Sequence, residues 1–255
     1  MRPRLYAEPA LYDLIHADGT DDEVWLLDRI ARLHGASGLK TALEPACGTG
    51  RYLAGLLRRG WSVEGYDLSA DMARYAAARL KKYGKRAVVR TGDMRTYETP
   101  ARFGLVFNLL STFRHLMNDR DALAHLRRCA ESLAPGGVFV LGLDLAAYGK
   151  DEPDEETWTG RAMNHVMMTL PADRRRRRER IMNFITVPGR KVIESHYDLR
   201  SYDARELKAL LAKSPLELVT AYSYGGKPAA LGGPERALWL VLRRRASARP
   251  VRRSA

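Results

Sequence analysis

Cysteine is scarce. Two residues in 255, Cys47 and Cys129, cannot build a disulfide framework, and Cys47 falls in a small-residue loop that a bridge would distort. The expected setting is a reducing cytoplasm. Long apolar runs are missing: no stretch approaches the roughly 20 residues of a membrane span. The first residues, M-R-P-R-L-Y, lack the apolar h-region of a secretory signal. The six histidines are scattered without metal-ligand spacing, and no nucleophile triad stands out. Lysine is rare too, nine of the 43 basic residues.

What the chain has instead is arginine. The formal net charge is +13, and eleven arginines sit in two clusters, Arg174 to Arg178 and Arg243 to Arg253. The rest of the chain is close to balance. A basic face that grips nucleic acid is spread out and interleaved with aromatics. A single arginine run reads as a solvated turn and a basic tail as disordered. The charge therefore argues against a nucleic-acid partner.

The organising stretch is T-A-L-E-P-A-C-G-T-G, Thr41 to Gly50. An apolar run ends in Glu44, a loop of small residues follows (Ala46, Gly48, Gly50), and an amphipathic segment starts at Arg51. That order is strand, tight loop, helix, with backbone N–H groups free to face a ligand at the helix start. A second strand, Trp61 to Tyr66, ends at Asp67, where a carboxylate can take both hydroxyls of a ribose. A dinucleotide site would need G-x-G-x-x-G, and Leu53 stands at the third glycine position.

Glu44, Ala46, Gly48, Gly50 and Asp67 together resemble the cofactor loop of class I S-adenosylmethionine-dependent methyltransferases, roughly E/D-x-G/A-x-G-x-G with an acid after the next strand. That resemblance implies S-adenosyl-L-methionine as cofactor and an α/β, Rossmann-like sheet of seven strands, the last inserted antiparallel. It further implies that Leu68 follows the ribose acid into the site. Asp93, in Thr91-Gly92-Asp93-Met94 after the third strand, would take the adenine amine, and Met94 would pack on the ring.

Other segments resemble small-molecule N-methyltransferases of the sugar-amine type. Y-D-L-I-H, from Tyr12, is similar to their N-terminal arm, which folds over the cofactor, so Tyr12 is expected to line the site, with a packed core tyrosine as the other reading. Asn108 ends the fourth strand, and the loop behind it, S-T-F-R-H-L, makes His115 the candidate group near the acceptor, taking a proton or orienting an amine. Three β-rich runs, 158–170, 179–187 and 191–200, are similar to an inserted antiparallel substrate lobe. Trp158 and His196 are then expected to face the acceptor, although alternate strand residues point opposite ways and core packing is the competing reading.

The expected organisation is a helical arm over 1–38, a cofactor core over 39–150, the β lobe over 151–200, the rest of the core over 201–245 and a basic tail over 246–255. The expected activity is methyl transfer (EC 2.1.1.-) to a small molecule, most simply at nitrogen, with no membrane. A nucleic-acid methyltransferase and a non-catalytic cofactor-binding protein stay open, although the N-P-P-Y run of nucleic-acid enzymes is replaced by N-L-L-S. Acceptor identity, the number of methyl groups added and oligomeric state are not legible.

Overall fold

The computed structural model describes residues 4–35, 38–160 and 162–246. Most of the basic tail, residues 247–255, lies outside them.

The short apolar-rich runs of the first half become parallel strands between two helical layers, the central ones the most completely covered. These are β1 (Thr41–Pro45), β2 (Ser62–Asp67), β3 (Ala87–Thr91), β4 (Phe103–Asn108) and β5 (Leu133–Asp144). They pair in parallel in the order β5-β4-β1-β2-β3, and β4 is buried at every residue.

Among the described residues the inserted lobe is an antiparallel sheet of four strands, not three: β6 (Asp154–Thr159), β7 (Asn164–Thr169), β8 (Arg178–Thr186) and β9 (Ile193–Arg200). The run read as one strand over 158–170 breaks at Gly160, whose N–H donates to the Met163 carbonyl at 3.0 Å and closes a hairpin. The arginine run forms the turn from β7 to β8, with Arg177 at φ 54°.

The chain then returns to the main sheet as β10 (Leu216–Ser223), β11 (Pro228–Ala229) and β12 (Ala237–Arg244). β12 lies between β5 and β10, antiparallel to both, as the resemblance implies. Among the described residues the main sheet has eight strands, one more than expected, because the two-residue β11 pairs at its edge.

Helices cover both faces. α1 (Pro9–His16) and α2 (Thr20–His34) form the arm, and α3 (Arg51–Arg58), α4 (Ala70–Leu80), α5 (Asp119–Ser132) and α6 (Ala204–Ala212) alternate with strands. Side chains satisfy the free N–H groups at three helix starts: Ser69 for α4, Asn118 for α5, and the reciprocal Asp203–Glu206 box for α6. One core gathers α5 and α6 with Leu43, Phe113, Phe139 and Tyr202. The opposite core gathers α2, α3 and α4 with Leu105, Phe107 and Trp239. The buried side chain of α1 is Leu11. It packs on Ile185 and Ile193 of the lobe, so the arm bridges lobe and core.

Among the described residues no helix is long and apolar enough to cross a membrane.

Candidate active site

The loop from β1 to α3 turns by alternating left-handed residues, Ala46 (φ 54°), Gly48 (φ 53°) and Gly50 (φ 70°). Two bonds fix it: Cys47 N–H to the Tyr66 carbonyl and Gly50 N–H to the Cys47 carbonyl, both 2.9 Å. It also needs Gly65. A Cβ there would lie 2.5 Å from Leu53 Cδ1 and 3.0 Å from Cys47 Sγ, so only glycine lets the loop seat against β2.

Asp67 ends β2 against this loop. One carboxylate oxygen accepts from Gly48 N–H at 2.9 Å and the other from Ser69 N–H at 2.7 Å. Leu68, beyond it, is 58% exposed.

Glu44 and Asn108 close the floor. Asn108 Nδ2 donates to the Pro45 carbonyl at 2.9 Å, and Asn108 Oδ1 and Glu44 Oε2 are buried with no hydrogen-bond partner. An unpaired buried acceptor costs roughly 1–3 kcal/mol. Burial pushes the Glu44 carboxyl well above its usual range; Arg51 opposes the shift and Asp67 adds to it. This donor-poor floor suits a ligand that brings its own N–H groups and positive charge. Tyr12, Glu44, Ala46, Gly48 and Asn108 all line one cavity of about 20 Å³, room for about one water molecule. Tyr12 takes up the space: a Cβ on Gly48 would stand 3.5 Å from its ring.

The arm is anchored by a residue the sequence reading passed over. Asp13, next to Tyr12, accepts from Thr49 Oγ1 at 2.7 Å and forms a two-pronged ion pair with Arg79 of α4. The next contact inward is Arg51, buried at the start of α3, which bonds Thr20, Glu23 and Tyr52 and ties α2 to the loop.

The loop after β4 is strained. Leu110 (φ 53°) and Ser111 (φ 56°) are successive left-handed residues without being glycine, a conformation that persists only where neighbours impose it. Ser111 is held by Asp144: its Oγ donates to the carboxylate at 2.8 Å and accepts from the Asp144 N–H at 2.9 Å. Arg114 is buried, donates to the Arg200 carbonyl at 2.9 Å and pairs with Glu179 of β8, locking the loop to the lobe. His115 is thereby turned into a cluster of aromatic rings. Its Nε2 shares a hydrogen bond of 3.1 Å with Tyr6 Oη, its ring lies 5.3 Å from Tyr197 of β9, and Tyr6 in turn is 5.7 Å from Tyr12. Burial, then Arg114, holds the His115 imidazole down to about 4.

Asp93 follows β3 and is gripped by Arg95 through backbone and guanidinium, which keeps its carboxyl below the usual range. His125, fully buried on α5, donates from Nδ1 to the Met94 carbonyl at 3.1 Å and so fixes this turn from below.

The lobe residues divide. Trp158 is 41% exposed on β6 and stacks on His165, rings 5.0 Å apart and 18° from parallel. His196 does not join the cluster. It lies on the exposed face of β9, while its neighbours Ser195 and Tyr197 turn inward, so the side chain facing His115 is Tyr197.

Three-layer α/β architecture, an antiparallel final strand and a loop of left-handed small residues facing an acid at the end of β2 define a class I, S-adenosylmethionine-dependent methyltransferase fold. Residues 42–137 match the methyltransferase-domain family. Among curated proteins it is similar to dTDP-3-amino-3,6-dideoxy-alpha-D-glucopyranose N,N-dimethyltransferase of Streptomyces fradiae, 36% identical over 134 residues, 51% of each chain. The chain thus spans about half the length of that relative. Among solved structures, a methyltransferase from Streptomyces caelestis superposes with TM-score 0.74 at 20% identity, covering 89% of this chain and 90% of that one. An S-adenosylmethionine-bound amino pentose methyltransferase from Micromonospora echinaspora gives 0.72 at 20% identity, covering 91% and 96%.

Proposed function

We propose that this chain transfers the methyl group of S-adenosylmethionine to an amino nitrogen of a small-molecule acceptor, an amino sugar, by direct in-line displacement in the cytoplasm. The observation that carries this is the enclosure of His115 by Tyr6 and Tyr197, with Tyr12 of the arm between that cluster and the cofactor loop. The sugar-amine activity of the S. fradiae relative supports the choice of acceptor.

Glu44 and Asn108 would hold the cationic methionyl end, Asp67 the ribose hydroxyls, and Asp93 with Met94 the adenine. The sulfonium supplies an already electrophilic methyl group, so the protein needs no strong base. Its work is to align a nitrogen lone pair with the C–S bond. The arm (1–38) and the lobe (151–200) roof that space in this scheme.

Magnitudes decide between the two roles for His115. Burial, then Arg114, holds the His115 imidazole down to about 4, below the range of aliphatic amines, which makes it a poor store for an amine's proton. A neutral imidazole therefore orients the amine by accepting its N–H, and does not store the proton.

Nucleic acid is not needed in this scheme. Three of the five arginines of the turn have partners within the chain, Arg174 over Tyr148, Arg177 on Glu206 and Tyr202, and Arg178 near Asp198, while Arg175 and Arg176 face solvent. The test is a screen of amine-bearing metabolites, amino sugars foremost, for production of S-adenosylhomocysteine. Turnover of amines supports the assignment; turnover only of RNA or of hydroxyl acceptors overturns it.

A further inference from the structure

Two opposite charges are buried together beside the loop after β4. Arg114 and Glu179 are 3% and 6% exposed, and the guanidinium of one meets the carboxylate of the other. Arg114 also donates from Nε to the Arg200 carbonyl at 2.9 Å and from Nη1 to the Asp144 carbonyl at 3.1 Å. Each of its three nitrogens therefore has its own partner, at the end of β9, the end of β5 and the start of β8. Glu179 is the first inward residue of β8, 65 residues from Arg114 in sequence. The residue after Arg114 is His115.

Stability does not account for this pair. Both ions give up their hydration on burial, and an apolar pair of similar volume in such a place is often as stable or more so. What an ion pair adds is direction. The planar fork of arginine holds its partners at fixed angles, where an apolar contact tolerates sliding and rotation. The loop needs that restraint. Leu110 and Ser111 are left-handed without being glycine, and a strained segment keeps its shape only while its neighbours over-determine it. Ser111 on Asp144 fixes the near end of the loop. Arg114 on Glu179 fixes the far end, one residue before the imidazole that meets Tyr6 and Tyr197.

We propose that Glu179 is a positioning residue for methyl transfer: acting through Arg114, it carries the geometry of the lobe to His115, and the buried pair is kept for that placement and not for stability. This rests on the amine-transfer reading, in which His115 faces the acceptor.

Removing one partner alone strands the other charge, so the informative variant removes both. The test is Arg114→Met combined with Glu179→Leu, beside Glu179→Gln, which keeps an oxygen for the guanidinium. Kinetics use dTDP-3-amino-3,6-dideoxy-alpha-D-glucopyranose as acceptor. Tm, S-adenosylhomocysteine affinity and the NMR signals of the His115 ring, assigned against His115→Ala, are measured in parallel. Those signals report placement independently of turnover, because His115 lies among the Tyr6 and Tyr197 rings. The double variant is expected to keep or raise Tm, to bind S-adenosylhomocysteine as wild type does, to shift or broaden the His115 signals, and to lose about tenfold or more in kcat. Glu179→Gln should retain most of kcat. A double variant that does not fold, or whose Tm and cofactor affinity fall with kcat, makes the pair a stability element and overturns the proposal. Unshifted His115 signals overturn it too, whatever kcat does. Shifted signals with an unchanged kcat overturn it together with the role given to His115. A wild type that methylates no amine overturns the amine-transfer reading, and the ring signals and Tm then still decide whether the pair places His115.

Discussion

Tyr6 Oη and His115 Nε2, 109 residues apart in sequence, meet at 3.1 Å. The contact joins the first turn of the arm to the loop after β4, and it sets which imidazole nitrogen is left for an acceptor. Burial raises the Tyr6 phenol well above its usual value, so its hydroxyl stays neutral; with Nε2–H donating to Tyr6 Oη, Nδ1 is the nitrogen left to accept from an amine.

His115→Ala is therefore expected to lower kcat roughly 10- to 100-fold by loss of orientation, with S-adenosylhomocysteine affinity nearly unchanged. Tyr6→Phe should reproduce part of that loss. Steady-state kinetics beside titration calorimetry check it. Equal losses in kcat and cofactor affinity for His115→Ala would place its role on the cofactor side.

Asp67→Ala should weaken S-adenosylhomocysteine by about 1.5–3 kcal/mol, the range for hydrogen bonds to a charged group. It also removes the acceptor for Gly48 N–H and Ser69 N–H, so Asp67→Asn, which keeps an oxygen, should lose less. Calorimetry on both variants separates the carboxylate's charge from its shape, and equal affinity in Asp67→Ala and wild type would remove Asp67 from the site.

How much of this was readable from the chain depends on the range of the interaction. The small-residue loop and the acid after β2 are local features, and turn chemistry states them directly, although not the left-handed φ of Ala46. Tyr6 is not local; nothing near it in sequence announces a partner in the loop after β4. His125 reads as one more residue on the buried side of α5, and only its 3.1 Å bond to the Met94 carbonyl separates it from core. In β9 the period of two was visible but the inward face was not. A shift of one residue exchanges His196 for Tyr197, and the packing of Leu11 on Ile193 decides it.

Acid should destabilise the fold above the carboxylate range. His16, His115 and His125 are held at about 3, 4 and 4, each chiefly by burial. All three lie below the unfolded value near 6.5, so the unfolded chain binds more protons and stability is lost as pH falls from about 6.5 towards 4. Tm measured from pH 8 to 4.5 should decline below about 6.5, the three imidazoles outweighing Glu44, whose raised carboxyl works the other way. NMR titration should show His115 neutral down to about pH 4. A flat Tm across this window would mean that these rings are hydrated in solution.

The arginine turn supplies a test of the nucleic-acid alternative, provided the right residues are changed. Arg177 is bound to Glu206 at 3.1 Å and lies over Tyr202, so replacing it would disturb the junction of lobe and core. Arg175 and Arg176 are solvent-facing, and Arg176 has only a loose, exposed pair with Asp173 at 3.7 Å, worth at most about 1 kcal/mol. Arg175→Ser with Arg176→Ser should leave Tm, cofactor affinity and amine turnover unchanged. RNA binding, measured by filter retention or anisotropy, should be weak and fall steeply between roughly 50 and 200 mM salt, since counterion release drives it. Tight, sequence-selective RNA binding near 0.2 M salt that the double variant abolishes would make the turn a recognition element and nucleic acid the substrate.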